Sequence, residues 1–439
     1  ERAARIRTAG RGKISSAPGA PLLGARTGGS VHRGIALGIF AFAYVLIAVR
    51  RLRWLPIGRP TGALLGAVLM VLLGCLTKEQ AYAAIDGDTI ALLFGMMVLQ
   101  VELDRSGLLD AWASSIASRE GSASKLLVGV VFGSGILSAL LVNDAVCLMA
   151  TPLVARLCRL GGLPPLPYLL ALATGSNVGG TMTLTGTPQC VLIGGFSGLS
   201  YARYASVMVP IGLGLLALTA LFFCVAFRRA LRGVRIRPVP PQAPLDRPRA
   251  RRFLVALGLV LVGFLAGLPL AWVALGGACL CALLRFGEPT ENLARVDWPL
   301  LLFFASLFVV IGGVAHAGWI DRAVDGLGPW LTSRPETRVV PFAAFSLIGS
   351  NLFSNVPFVL VLGHGYPGAS DGLWYQLAMT STLAGNLTLV GSVANLIVAE
   401  AAHREGVELG FLDYLKVGVP LTLLTTAAGL GGLALAGYA

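Results

Sequence analysis

The chain has 439 residues, of which 56% are apolar and only 13% charged. Soluble domains carry about 25% charged residues, so the composition excludes an ordinary soluble globular protein and points to membrane embedding. The formal net charge is +13, but most Lys and Arg sit in short loops beside apolar runs. That pattern speaks for membrane topology and against nucleic-acid binding.

Residues 1–34 carry six Arg and one Lys without periodicity and read as a basic, disordered leader. The first apolar run, 35–49, reads as a spanning helix and not as a cleavable signal. Further spans are predicted at 60–76, 89–102, 165–195, 202–227, 253–268, 270–284, 298–315, 374–399 and 412–437. A spanning helix needs roughly 20 apolar residues. Two segments, 126–156 and 339–363, are apolar with a polar break at the middle and read as re-entrant helical hairpins. The expectation is an all-α polytopic membrane protein with about ten transmembrane helices and two hairpins.

One set of loops receives Arg50, Arg51, Arg53, Arg59, Arg105, Arg119, Lys125, Arg156, Arg159, the stretch 228–252, Arg285, Arg295, Arg404 and Lys416. The opposite set receives only Lys78, Arg203, Arg322, Arg334 and Arg338. The richer side is predicted to be cytoplasmic. The leader disagrees, because this topology places it outside.

The halves repeat. Ile85-Asp86 matches Val296-Asp297, and Ser106-Gly107 through Asp110 matches Ala317-Gly318 through Asp321, both at an offset of 211. Ser138 and Asn143 match Ser350 and Asn355 at 212, and Gly186-Thr187 matches Gly391-Ser392. The predicted domains are a first repeat at 35–227, a cytoplasmic linker at 228–252 and a second repeat at 253–439. An odd number of spans per half makes the repeats inverted, which places a binding site near the membrane midplane where they meet.

The polar breaks carry the candidate chemistry. The hairpins turn at Val142-Asn143-Asp144 and at Ser354-Asn355-Val356. Asn, Asp and Ser start helices there, and helix N-termini hold anions or polar solutes. Opposing carbonyl ends suit a cation. Two spans are broken as well, the first around Asn177 and Gly186-Thr187-Pro188-Gln189, the second around Asn386, Gly391, Ser392 and Asn395. One such motif alone would be explained by helix packing through small residues. Four in symmetric pairs favour a substrate and ion site. Asp144 reads as the one carboxylate well inside an apolar segment, and such groups are usually functional. It is the candidate proton-coupling residue, against the plainer reading of a helix cap. Cys147 and Cys190 flank the motifs but read as packing residues, and His316 and His364 lack metal-ligand spacing. No metal site or cofactor is expected beyond a coupling H+ or Na+. Searches for HExxH, GxSxG and paired intramembrane carboxylates find none, so an intramembrane enzyme is not expected.

At Val142-Asn143-Asp144-Ala145, Gly186 to Gln189, Ser354 to Pro357 and the run Ser381 to Asn395, the sequence resembles the ion transporter superfamily. Within it the arsenite permease (ArsB) family is most similar, with the NhaD-type sodium/proton antiporters and divalent anion/sodium symporters as relatives. The resemblance spans residues 35–437. It implies a scaffold part, a mobile transport part, a homodimer, a bacterial inner-membrane location and, in some arsenite permeases, an ATPase partner subunit. In the symporters both hairpin tips read Ser-Asn-Thr. Here Asp144 and Val356 stand where hydroxyls would be, which disfavours a dicarboxylate. The resemblance therefore implies proton-coupled export of arsenite or a similar small oxyacid. Sodium/proton antiport and sodium-coupled anion symport are the alternatives.

Overall fold

Apolar runs in a bilayer can close their backbone hydrogen bonds only within helices or closed barrels, and every element among the described residues is a helix. The computed structural model describes residues 30–48, 58–117, 122–232, 234, 245–283, 289–322, 339–366 and 369–438. The leader over 1–29, linker residues 233 and 235–244, and the loop residues Arg50, Arg51, Arg53, Arg119, Arg285, Arg334 and Arg338 lie outside them.

The first half runs α1 (Ser30–Ala48), α2 (Arg59–Leu72), α3 (Lys78–Ala84), α4 (Gly87–Arg105), α5 (Leu108–Ala117), α6 (Ala123–Leu140), α7 (Asn143–Gly161), α8 (Pro165–Gly180), α9 (Pro188–Ser197) and α10 (Tyr201–Ala226). After the short α11 (Arg228–Leu231), the second half runs α12 (Arg247–Leu265), α13 (Leu270–Leu283), α14 (Pro289–Ala294), α15 (Trp298–His316), α16 (Val339–Phe353), α17 (Asn355–Gly365), α18 (Asp371–Ala384), α19 (Val393–Arg404) and α20 (Phe411–Leu435).

Matched residues do matched work. Asp86 Oδ1 accepts the Thr89 N–H at 3.0 Å and starts α4; Asp297 Oδ1 accepts the Leu300 N–H at 3.0 Å and starts α15. Gly107 and Gly318 follow those two helices with φ of +70° and +74°. That left-handed conformation ends a helix readily only at glycine. The bounds of α2 and α13, and of α4 and α15, agree at a displacement of 211 residues.

Packing crosses between the halves. Helix α4 lies on α13 and α15 on α2; α7 lies on α19 and α17 on α9. Each contact has a counterpart with the halves exchanged. A Cβ on Gly66 would meet Val310 at 3.1 Å, and one on Gly277 would meet Leu99 at 3.4 Å. Both the glycines and their partners are again 211 residues apart. Ion pairs between separate elements join residues read to one side of the membrane. These include Arg105–Glu291 at 2.8 Å and Arg159–Glu405 at 2.5 Å on the basic side, and Arg203–Asp371 at 2.6 Å on the other.

Among the described helices, four are long and apolar enough to cross a bilayer alone: α6, α10, α15 and α20. A fifth is the pair α3 and α4, bent by 50°. The sequence predicted about ten. The runs at 165–195 and 374–399 are each divided between two helices, and α2 and α13 have 14 residues each. The first predicted hairpin has two long arms, α6 and α7 of 18 and 19 residues, joined through Leu141 and Val142. The second has shorter arms, α16 and α17 of 15 and 11 residues, joined through Ser354.

Two sequence expectations change. The stretch 247–252, read as linker, is the first turn of α12, because Asp246 caps it by accepting the Arg249 N–H at 2.9 Å. Asp144 is also not the only buried carboxylate. The Glu102 side chain is 0% exposed near the end of α4. It accepts from Arg249 Nε at 3.3 Å and from Asn292 Nδ2, while Arg105 bonds Asn292 and Glu291. The predicted span 89–102 ends at Glu102, which the sequence did not single out. Folding brings α12 and α14 over it.

Gly95 tests the cross-half packing, since a Cβ there would lie 2.5 Å from the Ala274 carbonyl carbon. Gly95→Leu forces α4 from α13, and overpacking of this kind costs about 1–3 kcal/mol or more. We expect a lower melting temperature and a smaller monodisperse fraction in detergent. Gly214→Ala, where the added Cβ meets nothing within 4 Å, should leave both unchanged.

Candidate functional site

Unwound backbone at membrane depth is stable only where protein or a polar cavity receives its hydrogen bonds. Two such breaks occur, at 181–187 between α8 and α9 and at 385–392 between α18 and α19. Each closes on a pair of glycines. A Cβ on Gly186 would sit 2.4 Å from the Gly180 carbonyl oxygen, and one on Gly391 would sit 3.1 Å from that of Gly385. Each break then re-enters a helix through a hydroxyl cap. Thr187 Oγ1 accepts the Cys190 N–H at 3.2 Å, and Ser392 Oγ accepts the Ala394 N–H at 3.2 Å. Pro188 occupies the first position of α9, where its missing N–H costs nothing.

The breaks meet at Asn177. Its Oδ1 accepts from Asn143 Nδ2 at 2.9 Å and from Ser392 Oγ at 3.3 Å. Its Nδ2 donates to Asn386 Oδ1 at 2.8 Å and to Asn395 Oδ1 at 3.0 Å. Asn386 Nδ2 returns to the Thr174 carbonyl at 3.3 Å, and Asn395 Nδ2 donates to the Gly385 carbonyl at 2.6 Å. The Asn143 N–H donates to the Gly186 carbonyl at 3.0 Å, so the first hairpin tip is tied to the first break. Gln189 Nε2 reaches Thr382 Oγ1 on α18 at 3.1 Å. The structure thus joins Asn143, Asn177, Asn386, Ser392 and Asn395 in one buried network spanning both halves.

The second tip is built differently. Ser354 has φ +68° and ψ +150°, the only positive φ at a non-glycine among the described residues. That region is essentially reserved for glycine and costs about 1–3 kcal/mol. Asn355 lies beside Gly385, where an added Cβ would be 3.3 Å from Asn355 Nδ2, and Val356 is buried. Gly391 packs on Asn351, whose Oδ1 accepts from Thr388 at 3.1 Å.

Several buried polar atoms have no hydrogen-bond partner among the described residues. They include Asn143 Oδ1 and Asn355 Oδ1, and Ser138 Oγ and Ser350 Oγ. These are the two matched pairs of the sequence repeat, one set behind each tip. Buried polar groups are almost always satisfied, so unmet ones need an explanation. Asp144 is 5% exposed and adjoins Asn143. One turn on, Cys147 Sγ lies 3.0 Å from Ser176 Oγ. Sequence reasoning left Ser138 and Ser350 out of the site, although their place in the repeat marked them. It also left out Asn351 and Thr382, which stand one turn before the second tip and the second break.

The fold and this site are those of an integral, multi-pass membrane transporter. Residues 44–384 match the model of the CitMHS citrate transporter family. The chain belongs to that family. It is 29% identical to the silicon efflux transporter LSI3 of Oryza sativa subsp. japonica, over 91% of this chain and 96% of that protein. An uncharacterized transporter of Mycobacterium bovis is 30% identical over 90% and 96%. The transporter arsB of Dictyostelium discoideum is 27% identical over 85% and 87%. The crystal structure of the Alcanivorax borkumensis YdaH transporter shares the fold, with a TM-score of 0.56, 16% identity and coverage of 93% of this chain and 98% of that one.

Asn177→Ala removes a donor and an acceptor that serve four side chains. Each buried group left unmet costs about 1–3 kcal/mol. We expect a larger fall in melting temperature than for Ser206→Ala, an exposed serine bonded only to the Arg203 carbonyl. Ser354→Gly should raise the melting temperature by relieving the strained φ, and Ser354→Val should lower it.

Proposed function

We propose that the chain is a secondary active transporter that exports a small inorganic anion or oxyacid against proton entry, by alternating access. The observation that carries this reading is the pair of matched, unmet polar sets (Ser138 with Asn143, Ser350 with Asn355) behind the two tips, beside a network that joins both halves. A carboxylate adjoins one set only, at Asp144. The reciprocal packing of α4 on α13 and α15 on α2 supports two inverted repeats, 35–227 and 253–439, joined by a cytoplasmic linker. Such repeats move by rocking one part against another around a fixed site.

The substrate site comprises Asn143, Asp144, Asn177, Gly186 to Gln189, Ser354 to Val356, Asn386, Gly391, Ser392 and Asn395. Amide and hydroxyl groups suit a small oxyacid with several hydroxyls. Relatives named for silicon efflux and as arsB agree with that chemistry. Asp144 releases its proton to one side and takes it up on the other. No organic cofactor enters this cycle. The protein works in a bacterial inner membrane as a homodimer. The family description, citrate transporter, favours a second reading in which a sodium-coupled organic anion is the substrate. Against it, Asp144 and Val356 remove tip hydroxyls and add a negative charge.

The test is arsenite uptake into everted membrane vesicles, with and without an imposed proton gradient. Wild type should accumulate arsenite only with the gradient, and Asp144→Asn should lose that accumulation while still reaching the membrane. A wild type that is well expressed yet accumulates none would sink the oxyacid reading, and sodium-driven citrate uptake would then be measured.

A further inference from the structure

Helix α20 was read from sequence as a plain apolar span, yet one of its faces carries hydroxyls that the protein does not satisfy. Tyr414, Thr422 and Thr426 are 1%, 0% and 5% exposed, and none of their hydroxyls has a partner among the described residues. Threonine in a helix ordinarily bonds back to the carbonyl four residues earlier. Thr174, Thr219, Thr380, Thr382 and Thr425 all do so, at 2.7–2.8 Å. Thr422 and Thr426 do not.

The face these groups occupy is set by two glycines. A Cβ on Gly418 would meet the Asn386 carbonyl oxygen at 2.4 Å, and one on Gly429 would meet Met379 Sδ at 2.4 Å. Both contacts are to the polar broken span of the second half. Residues 414, 418, 422, 426 and 429 follow helical spacing, so the hydroxyls lie in a row along this same seam. At Gly418, one turn from Tyr414, the row reaches the candidate site, since the Asn386 it meets accepts from Asn177 at 2.8 Å and Asn177 accepts from Asn143, the neighbour of Asp144, at 2.9 Å.

We infer that the buried hydroxyl row of α20 holds a file of water molecules, and that this file delivers protons to Asp144. Buried water typically makes about three hydrogen bonds to otherwise unmet polar groups, and the row offers Tyr414 Oη, Thr422 Oγ1 and Thr426 Oγ1 on one buried face. A proton enters at the Thr426 end, passes along the waters and ends on the Asp144 carboxylate. The water file stands on geometry alone, whereas its role in coupling rests on the proton-coupled reading above.

Hydroxyl-radical footprinting with short X-ray pulses on the purified protein tests the file without any substrate, because bound water generates the radical in place. Tyr168 is the control: it is 0% exposed, and its hydroxyl donates to the Ala123 carbonyl at 2.8 Å. Tyr414 should be modified about tenfold faster than Tyr168 if water lies against it. That labelling should disappear in the Thr422→Val/Thr426→Val double variant, which keeps side-chain shape. Equal labelling of Tyr414 and Tyr168 overturns the water file, whatever the protein transports. In proteoliposomes the double variant should lose proton-driven arsenite accumulation but keep arsenite exchange between equal concentrations. Full accumulation by a variant whose Tyr414 labelling is gone overturns the proton route. A wild type that moves no arsenite, with Tyr414 still labelled, refutes the oxyacid reading and leaves the water file standing.

Discussion

A chain that leaves its helical ladder inside an apolar medium must find hydrogen-bond partners within the protein, because the surroundings supply none. Here Asn177, one turn before the first unwound stretch, holds the second stretch, and through Asn143 it is tied to the first. An amide side chain offers two donors and an acceptor with two lone pairs, and Asn177 directs them at Asn143, Ser392, Asn386 and Asn395. Neither break would be stable alone at this depth. The polar centre is therefore a consequence of joining the halves, and it is also where a solute that must shed its hydration would find replacement partners.

The surrounding frame is nearly symmetric, with charges that are not. Helices of one half pack on the counterparts of the other, and the matched caps Asp86 and Asp297 start equivalent helices. Yet the two buried carboxylates among the described residues, Glu102 and Asp144, both belong to the first half. Their positions in the second half hold Gly313 and Val356. Glu102 is held by Arg249 and Asn292, and breaking such a buried pair typically costs about 3–5 kcal/mol. It locks α4 to α12 and α14, outside the polar centre. Asp144 stands at the centre itself, beside the amides that span both halves.

The tips differ in the same sense. The first is anchored, since the Asn143 N–H is received by the Gly186 carbonyl at 3.0 Å. The second turns through Ser354 in a backbone conformation that serine rarely adopts. Strain of this kind persists only where surrounding structure enforces it. The anchored tip carries the charge and the strained tip carries none.

The sequence by itself determined that the chain is helical and where its polar breaks fall. Apolar runs, Asn and Asp at their breaks, and residues matched at an offset of 211 are local or periodic signals that need no fold to be read. Asn143, Asn177, Asn386, Ser392 and Asn395 were all legible as candidates for that reason. Only the tertiary structure decided which of them touch, because donors and acceptors some 200 residues apart meet through the crossed packing of two halves. It also decided burial. Glu102 lies at the end of an apolar run and looks solvent-accessible until α12 and α14 cover it. Tyr414, Thr422 and Thr426 look like ordinary residues of an apolar helix, and only the fold shows their hydroxyls buried without a partner among the described residues.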